Sequence, residues 1–160
     1  MSLERSRNYL SLLRDRLPEA PDERDRLIES VVVGYLLTTV YADIELQVRS
    51  TLAQYGRHGS PDGRVGSFVT VAVTRIVRSV NCESLAGVLG MFDAHCKKHF
   101  QMQVNNTKDQ AAYDRLVAAR HDQAHNLGSA LTLDDLEADL DGAERILIAL
   151  EEALACSCLH

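Results

Sequence analysis

Two residues in the last third of the chain have the side chains and the spacing for chemistry on a phosphate. Arg120 and His125 are five positions apart near the end of a predicted helix. Arginine stays charged and its planar guanidinium matches two phosphate oxygens, whereas histidine exchanges a proton near neutral pH. A cation that grips phosphate and a group that moves protons are what RNA cleavage without a metal requires. The pair is therefore the first candidate for a catalytic site.

The surroundings of Arg120 indicate that its charge faces packed surface. It continues an apolar stripe through Tyr113, Leu116 and Val117. A buried guanidinium without an anion is costly, so we expect a carboxylate or a substrate phosphate beside it. Glu45 occupies an apolar slot on a long early helix, and we predict that it is the counter-ion. The alternative is that Arg120 and Glu45 form a buried ion pair whose only role is to specify the fold.

Three polar residues next to the motif are candidates for supporting roles. His121 shares a helical face with His125 and is expected to contact RNA. Asp122 is expected to orient a histidine or the guanidinium. Asn126 follows the motif directly, and Gly128 is predicted to end the helix.

The motif spacing has a geometric consequence. On an ideal helix, positions five apart differ by about 140° in direction, so Arg120 and His125 do not share a face. The last helical turn must loosen, or the substrate must lie over the helix end. Asn126 and Gly128 favour such loosening.

The same segment permits a second interpretation, in which histidines bind a metal. His121 and His125 are four residues apart, as in zinc hydrolases, with Asp122 where those enzymes have glutamate. His95 and His99 repeat the spacing. Aspartate reaches less far as a base, and no third ligand follows the motif, so we expect no metal and no cofactor.

Composition limits the classes of function. The chain has 160 residues, with 17 basic and 23 acidic side chains and a net charge of −6. Such a charge argues against broad coating of nucleic acid and confines any RNA site to a cleft. The longest uncharged apolar run, 31–42, is twelve residues and too short to span a bilayer. Without a signal-type segment or a C-x-x-C pair, we expect a cytoplasmic protein that does not bind membranes.

Periodicity predicts helices along the whole chain. The expected fold is an all-α antiparallel bundle of four to five helices with a short N-terminal helix. We expect one domain over 1–160, with its core at about 22–155. Asn81, the capping box beginning at Thr107, and Thr132 mark predicted helix starts.

The segment 65–80 is ambiguous by composition. Its valines and threonines are typical of a strand, yet its apolar residues also form a helical stripe. Because no partner strand occurs elsewhere, we predict a helix. The closing helix has apolar residues alternating three and four apart, which suits packing of nearly parallel helices. These residues are Leu133, Leu136, Leu140, Ala143, Leu147, Leu150 and Leu154.

With these features the chain resembles the HEPN superfamily, particularly its RiboL-PSP-like branch. The residues that carry the resemblance are the R-x4-H motif from Arg120 to His125, the segment Tyr41-Ala-Asp-Ile-Glu45, and the leucine-rich closing helix. The similarity extends over about 28–154. His121 stands where relatives often have asparagine, and Asn126 where many have glycine.

The resemblance implies α-helical homodimers that act as metal-independent endoribonucleases, many of them toxins or defence proteins. One motif histidine cannot easily act as both base and acid in one turnover, and two copies meeting across this helix would supply two. The implied partners are an RNA substrate, a second copy and a cognate antitoxin protein. A non-catalytic module that dimerises or binds RNA or protein is the alternative, because the family includes such members.

Overall fold

The computed structural model describes residues 3–16, 23–58, 63–77, 79–123 and 131–156, and only the backbone of Arg24, His58 and 121–123. Within these ranges the chain forms seven α-helices and no strand. They are α1 (Glu4–Arg14), α2 (Glu23–His58), α3 (Gly63–Ile76), α4 (Cys82–Phe92), α5 (Ala94–Val104), α6 (Lys108–Gln123) and α7 (Leu133–Cys156). The all-α prediction is confirmed.

The helix starts follow the predicted caps. The Asn81 side chain accepts a hydrogen bond from the backbone N–H of Ser84 at 2.8 Å. Thr107 Oγ1 accepts a hydrogen bond from the Gln110 N–H at 3.1 Å. In a complete capping box the Gln110 side chain would accept from the Thr107 N–H, but here its Oε1 accepts from the N–H of Asn106. These bonds fix where α4 and α6 begin, and hence the direction in which α6 carries Arg120.

The structure has more helices than the four to five expected beside the N-terminal one. The ambiguous segment 65–80 is helical as far as Ile76, where α3 packs along α2, and residues 77, 79 and 80 lie outside the helix. The division comes after Phe92, where Asp93 is extended and its side chain accepts from the His95 N–H at 2.8 Å. The sequence left open whether the helix after Asn81 continues or kinks through 93–100. Asp93 ends one helix and caps the next, and so divides this segment into α4 and α5.

Helix α7 lies at the centre of the core. Its predicted seam is buried throughout, from Leu133 to Leu154. Gly142 permits the closest approach to α6, since a Cβ added there would lie 2.7 Å from the Ala112 Cβ. The buried Tyr113 of α6 also donates its hydroxyl to the Val80 carbonyl at 2.6 Å. These contacts fix α6 between α7 and the start of α4.

Ion pairs hold α1 on the outside of the bundle. Arg7 binds Glu144 at 2.9 Å and Asp141 at 2.6 Å, both on α7. Arg5 binds Asp43 of α2. The short helix therefore docks with Leu3 and Leu10 buried and its charges paired along two neighbours.

The stretch Asp25–Arg57 of α2 is long and apolar enough to cross a membrane, the one such helix among the described residues. A core helix passes the same test, and 39% of its most apolar window is buried. The apolar run 31–42 found in the sequence was shorter because it was counted only between charged residues. Cytoplasmic location stays a prediction.

Candidate functional site

Arg120 lies where the core of the bundle meets its surface. The residues that precede it on the same stripe, Tyr113, Leu116 and Val117, are buried, while Arg120 itself is half-buried. Arg120 thus continues the buried apolar stripe of α6, as its periodicity predicts. The guanidinium is positioned at the boundary between core and solvent, where it is held by packing and still reached by water.

The residue that holds Arg120 is Tyr41 of α2. The guanidinium carbon of Arg120 lies 4.8 Å from the centre of the Tyr41 ring, which is a cation–π contact. Tyr41 is only 9% exposed, so the ring is a fixed platform. A stacked guanidinium keeps N–H groups in its plane for other acceptors, so this contact positions the cation without using its hydrogen bonds.

Neighbouring charges act on the Tyr41 hydroxyl in opposite directions. Burial is the main factor and raises its pKa, and the Glu45 carboxylate raises it further. The positive charges of Arg120 and Arg49 lower it. The hydroxyl therefore stays protonated near neutral pH, and the polar groups of α2 and α6 form one electrostatic unit.

Glu45 is paired differently from the prediction. Its carboxylate binds Arg49, one turn further along α2, at 2.6 Å. Among the described side chains, no carboxylate lies within 4 Å of the Arg120 guanidinium. The expected Glu45–Arg120 ion pair is therefore replaced by two contacts, the i,i+4 pair on α2 and the stacking of Arg120 on Tyr41. The Glu45–Arg49 pair is favoured because a partner four residues along the same helix needs no tertiary fit.

Arg49 connects this cluster to the end of α3. Its guanidinium donates to the Val77 carbonyl at 3.3 Å, while its Nε is buried without a hydrogen-bond partner among the described atoms. The side chain of Arg49 therefore ties α2 to the chain that leaves α3. It also adds a second cation beside Tyr41.

The other predicted site residues are His121, Asp122, His125 and Asn126. His125 and Asn126 lie outside the described residues, and only the backbone of His121 and Asp122 is described, as the last part of α6. Gly128, the predicted end of α6, is outside them as well. The structure thus brings together Arg120, Glu45 and Tyr41.

The role of Tyr41 was missed from the sequence. The sequence predicted Tyr41 on the apolar face that includes Glu45, without a function of its own. The sequence did hint at this contact, since the aromatic ring of Tyr41 and the charge of Arg120 each lie on an apolar stripe. What was lacking is the tertiary contact between α2 and α6.

Groups suited to metal binding are dispersed. In the described part of the chain, no three or more histidine, cysteine, aspartate or glutamate side chains are placed so that they could hold a metal ion together. Cys82 and Cys96 are buried free thiols, and burial is the main cause that raises the pKa of Cys82, with Asp114 adding to it. These two cysteines are therefore core residues rather than nucleophiles.

A polar cleft lies elsewhere, where α4, α5 and the start of α6 meet. It has a volume of about 560 Å³, and Glu83, Lys97, Gln101, Asn105 and Gln110 line it. Of the predicted site residues whose side chains the structure describes, Arg120 and Glu45, neither lines this cleft. The cation that the motif provides is instead on the α2–α6 face.

No family model matches this chain, and neither a curated protein nor a solved structure is significantly similar to it. The geometry around Arg120 is therefore the basis for a functional assignment. A fixed, half-exposed guanidinium beside a second arginine can bind an anion such as a phosphate diester.

Proposed function

We propose that this protein is a HEPN-type, metal-independent endoribonuclease that cuts RNA through attack of its own 2′-hydroxyl. The observation that carries the proposal is the stacking of Arg120 on Tyr41, without a carboxylate partner among the described side chains. A buried salt bridge would have neutralised the guanidinium. A stacked one still offers its N–H groups to a phosphate.

In this reaction the 2′-oxygen bonds to the adjacent phosphorus and the bond from phosphorus to the 5′-oxygen breaks. A base removes the 2′-hydroxyl proton and an acid gives a proton to the leaving 5′-oxygen, which leaves a 2′,3′-cyclic phosphate. Arg120 would stabilise the extra negative charge of the pentacoordinate phosphorus. His125 of each of two copies would supply the base and the acid.

A second copy has a surface on which it could bind. The outer face of α2 exposes a row of apolar side chains, Leu27, Ile28, Val31, Tyr35 and Leu46. Exposed apolar rows of this length are typical of protein interfaces. On an ideal helix Glu45 borders this row, so a copy bound there would approach the Arg120 cluster.

The test is cleavage of single-stranded RNA by the purified protein in excess chelator, with analysis of the product ends. We expect cyclic-phosphate ends, and a loss of at least about 100-fold for Arg120→Ala and for His125→Ala, with the dimer retained. Arg16→Ala and His95→Ala are the matched controls and should keep wild-type rates. Activity that needs a metal, or full activity in either motif variant, contradicts the proposal.

The dimer is tested separately. Tyr35→Asp places a charge in the exposed row and should give monomers with greatly reduced cleavage, whereas Met102→Asp, an exposed position on α5, should change neither. If the wild-type protein is monomeric and still cleaves RNA at full rate, the proposal that two copies share one site is wrong.

A non-catalytic helical module is the second candidate. The acidic net charge and the large exposed apolar row of α2 favour it, since both suit protein binding better than RNA binding. RNA left intact by the wild-type dimer, under conditions where the variants stay folded, is the result that this candidate predicts.

A further inference from the structure

The polar cleft at the junction of α4, α5 and the start of α6 has the size of a small-molecule site. Its volume of about 560 Å³ lies within the range of about 300–1,000 Å³ that is usual for such sites. Most of its lining residues are polar, so the ligand that fits it is polar as well. The polar residues are Glu83, Lys97, Gln101, Asn105, Asn106 and Gln110.

Two opposite charges line the polar cleft without neutralising each other. Glu83 is on the first turn of α4, and Lys97 is on α5. Both residues are exposed, and neither has an ion-pair partner within 4 Å among the described residues. An anionic ligand would be repelled by Glu83, and a cationic one by Lys97. The two charges therefore favour a ligand that carries both an ammonium and a carboxylate.

The polar cleft also presents side-chain amides. Gln110 Oε1 accepts from the Asn106 N–H at 2.8 Å, which fixes this side chain and leaves its NH2 group to donate. The side chains of Gln101 and Asn105 make no hydrogen bond with other described residues. An amide has donor and acceptor side by side, as a peptide group does, so the two can bond reciprocally. A ligand with peptide groups would therefore satisfy these side chains.

Gly87 leaves the backbone of α4 open on the side of the cleft. A glycine inside a helix is destabilising relative to alanine, so its position needs a reason. Gly90 has one, because an added Cβ would lie 3.1 Å from the Lys97 Cδ, where the lysine stem packs against α4. At Gly87 an added Cβ would meet no described atom within 4 Å. Packing against the described part of the chain does not require Gly87, and its missing side chain gives a ligand room against the helix.

We infer that the polar cleft binds a short zwitterionic peptide of about three residues, which spans roughly 10 Å when extended. The N-terminal ammonium would pair with Glu83 and the C-terminal carboxylate with Lys97. The peptide groups between them would bond to the amides of the cleft and lie against Gly87. This binding is independent of the ribonuclease activity proposed above.

Other polar ligands match the lining less completely. A nucleotide phosphate would meet a single lysine and would be repelled by Glu83. A divalent cation would find one carboxylate among the described lining residues and would be repelled by Lys97. A neutral sugar or nucleoside would use the amides but leave both charges unmatched.

The probe is triglycine, compared with N-acetyl-triglycine and triglycine amide, which each lack one terminal charge. Amide NMR titration of the full-length protein should show saturable shifts at Gly87 and Gln110. Blocking either terminus should weaken binding at least about threefold, as expected for the loss of one exposed ion pair. Free glycine, which has both charges but no peptide group, should also bind at least about threefold more weakly.

Three results of this titration would overturn the inference. They are no saturable shift with triglycine, equal affinities for triglycine and its two blocked forms, and tighter binding of adenosine monophosphate or glucose than of triglycine.

Two variants that remove a charge assign the contacts. Glu83→Gln should abolish the preference for triglycine over its acetylated form, and Lys97→Gln the preference over the amide form. Glu151→Gln and Lys98→Gln, at residues that do not line the cleft, are the matched controls and should keep both preferences. Preferences that persist in Glu83→Gln and Lys97→Gln would show that the two charges do not bind the peptide termini.

Gly87→Leu separates binding from folding. Leucine is a better helix former than glycine and its Cβ meets no described atom, so the melting temperature should not fall. Its side chain would occupy the cleft and should weaken triglycine binding at least about tenfold. Gly63→Leu, at an open glycine of α3, should leave binding unchanged. Undiminished affinity in Gly87→Leu would place the peptide elsewhere and overturn the inference.

Discussion

The guanidinium carbon of Arg120 on α6 lies 4.8 Å from the centre of the Tyr41 ring on α2. This contact joins two helices that are 79 residues apart in sequence at these positions, and it fixes a cation at the surface without an ion pair. The ring therefore acts as a positioning residue for whatever anion the arginine binds.

Replacing the Tyr41 ring tests this role. Tyr41→Leu keeps an apolar side chain but removes the π face, and a desolvated cation–π contact is worth about 1–2 kcal/mol. We expect RNA cleavage to fall about tenfold, mainly through weaker substrate binding, because the guanidinium loses its fixed orientation. Tyr41→Phe keeps the ring and should retain most of the activity in steady-state assays. Equal losses in both variants would assign the effect to the hydroxyl instead.

The Glu45–Arg49 pair makes a different prediction. Because Glu45 binds Arg49 and not Arg120, Glu45→Gln should lower the free energy of unfolding by only about 0.5 kcal/mol, the usual worth of an i,i+4 pair. Arg49→Met should cost more, since it also removes the bond to the Val77 carbonyl. Denaturant unfolding of both variants measures the difference. A larger loss in Glu45→Gln would mean that its carboxylate does balance Arg120.

A buried carboxylate at the α6–α7 contact gives a stability prediction. Asp139 is 1% exposed and binds Arg115, whose side chain is 55% exposed, in a two-pronged ion pair. Arg115→Met would leave Asp139 buried and uncompensated, and we expect a loss of about 2–3 kcal/mol in denaturant unfolding. The double variant with Asp139→Leu should recover part of that loss. Additive losses in the double variant would show that the two side chains act independently.

The docking of α1 should depend on pH. A hydrogen bond from Arg7 is the main cause that lowers the pKa of Glu144 below its ordinary 4.5. A carboxylate with a depressed folded-state pKa adds stability that is present above about pH 4.5 and is lost as pH falls through the folded-state pKa. Glu144→Gln should therefore lower the melting temperature at pH 7, with the difference from wild type shrinking below pH 4.5.

The change in stability expected for Glu144→Gln is small, and a variant elsewhere on α7 is its control. The Arg7–Glu144 pair is partly exposed to solvent, which screens it, so its contribution is about 0.5–1 kcal/mol. Glu151→Gln, on the same helix but outside the Arg7 cluster, should leave the pH dependence unchanged. A melting temperature of Glu144→Gln that differs from wild type equally at pH 7 and pH 3 would exclude the ionic cause.

Local sequence determined the helical architecture and several of the helix starts. The caps at Asn81 and Thr107 predict where α4 and α6 begin, because a capping side chain satisfies its own neighbouring backbone N–H groups. The spacing of apolar residues predicts which face of α7 is buried for a similar reason, since 3.6 residues per turn is a local property. Sequence alone left open whether the helix continues or kinks from Asp93 onward, because the apolar periodicity hardly changes where one helix ends on the cap of the next.

Only the tertiary structure decided the partner of Arg120. Sequence periodicity placed Arg120 and Glu45 each on an apolar stripe, but two stripes can meet in several registers. In the folded chain α2 and α6 meet so that the guanidinium lies over Tyr41, while Glu45 reaches its own i+4 neighbour. Side-chain pairing across helices depends on packing of the whole core, in which α7 and Gly142 set the position of α6. The sequence thus predicts a cation, Arg120, on a packed face of α6, whereas the packing of the helices decides that it contacts Tyr41.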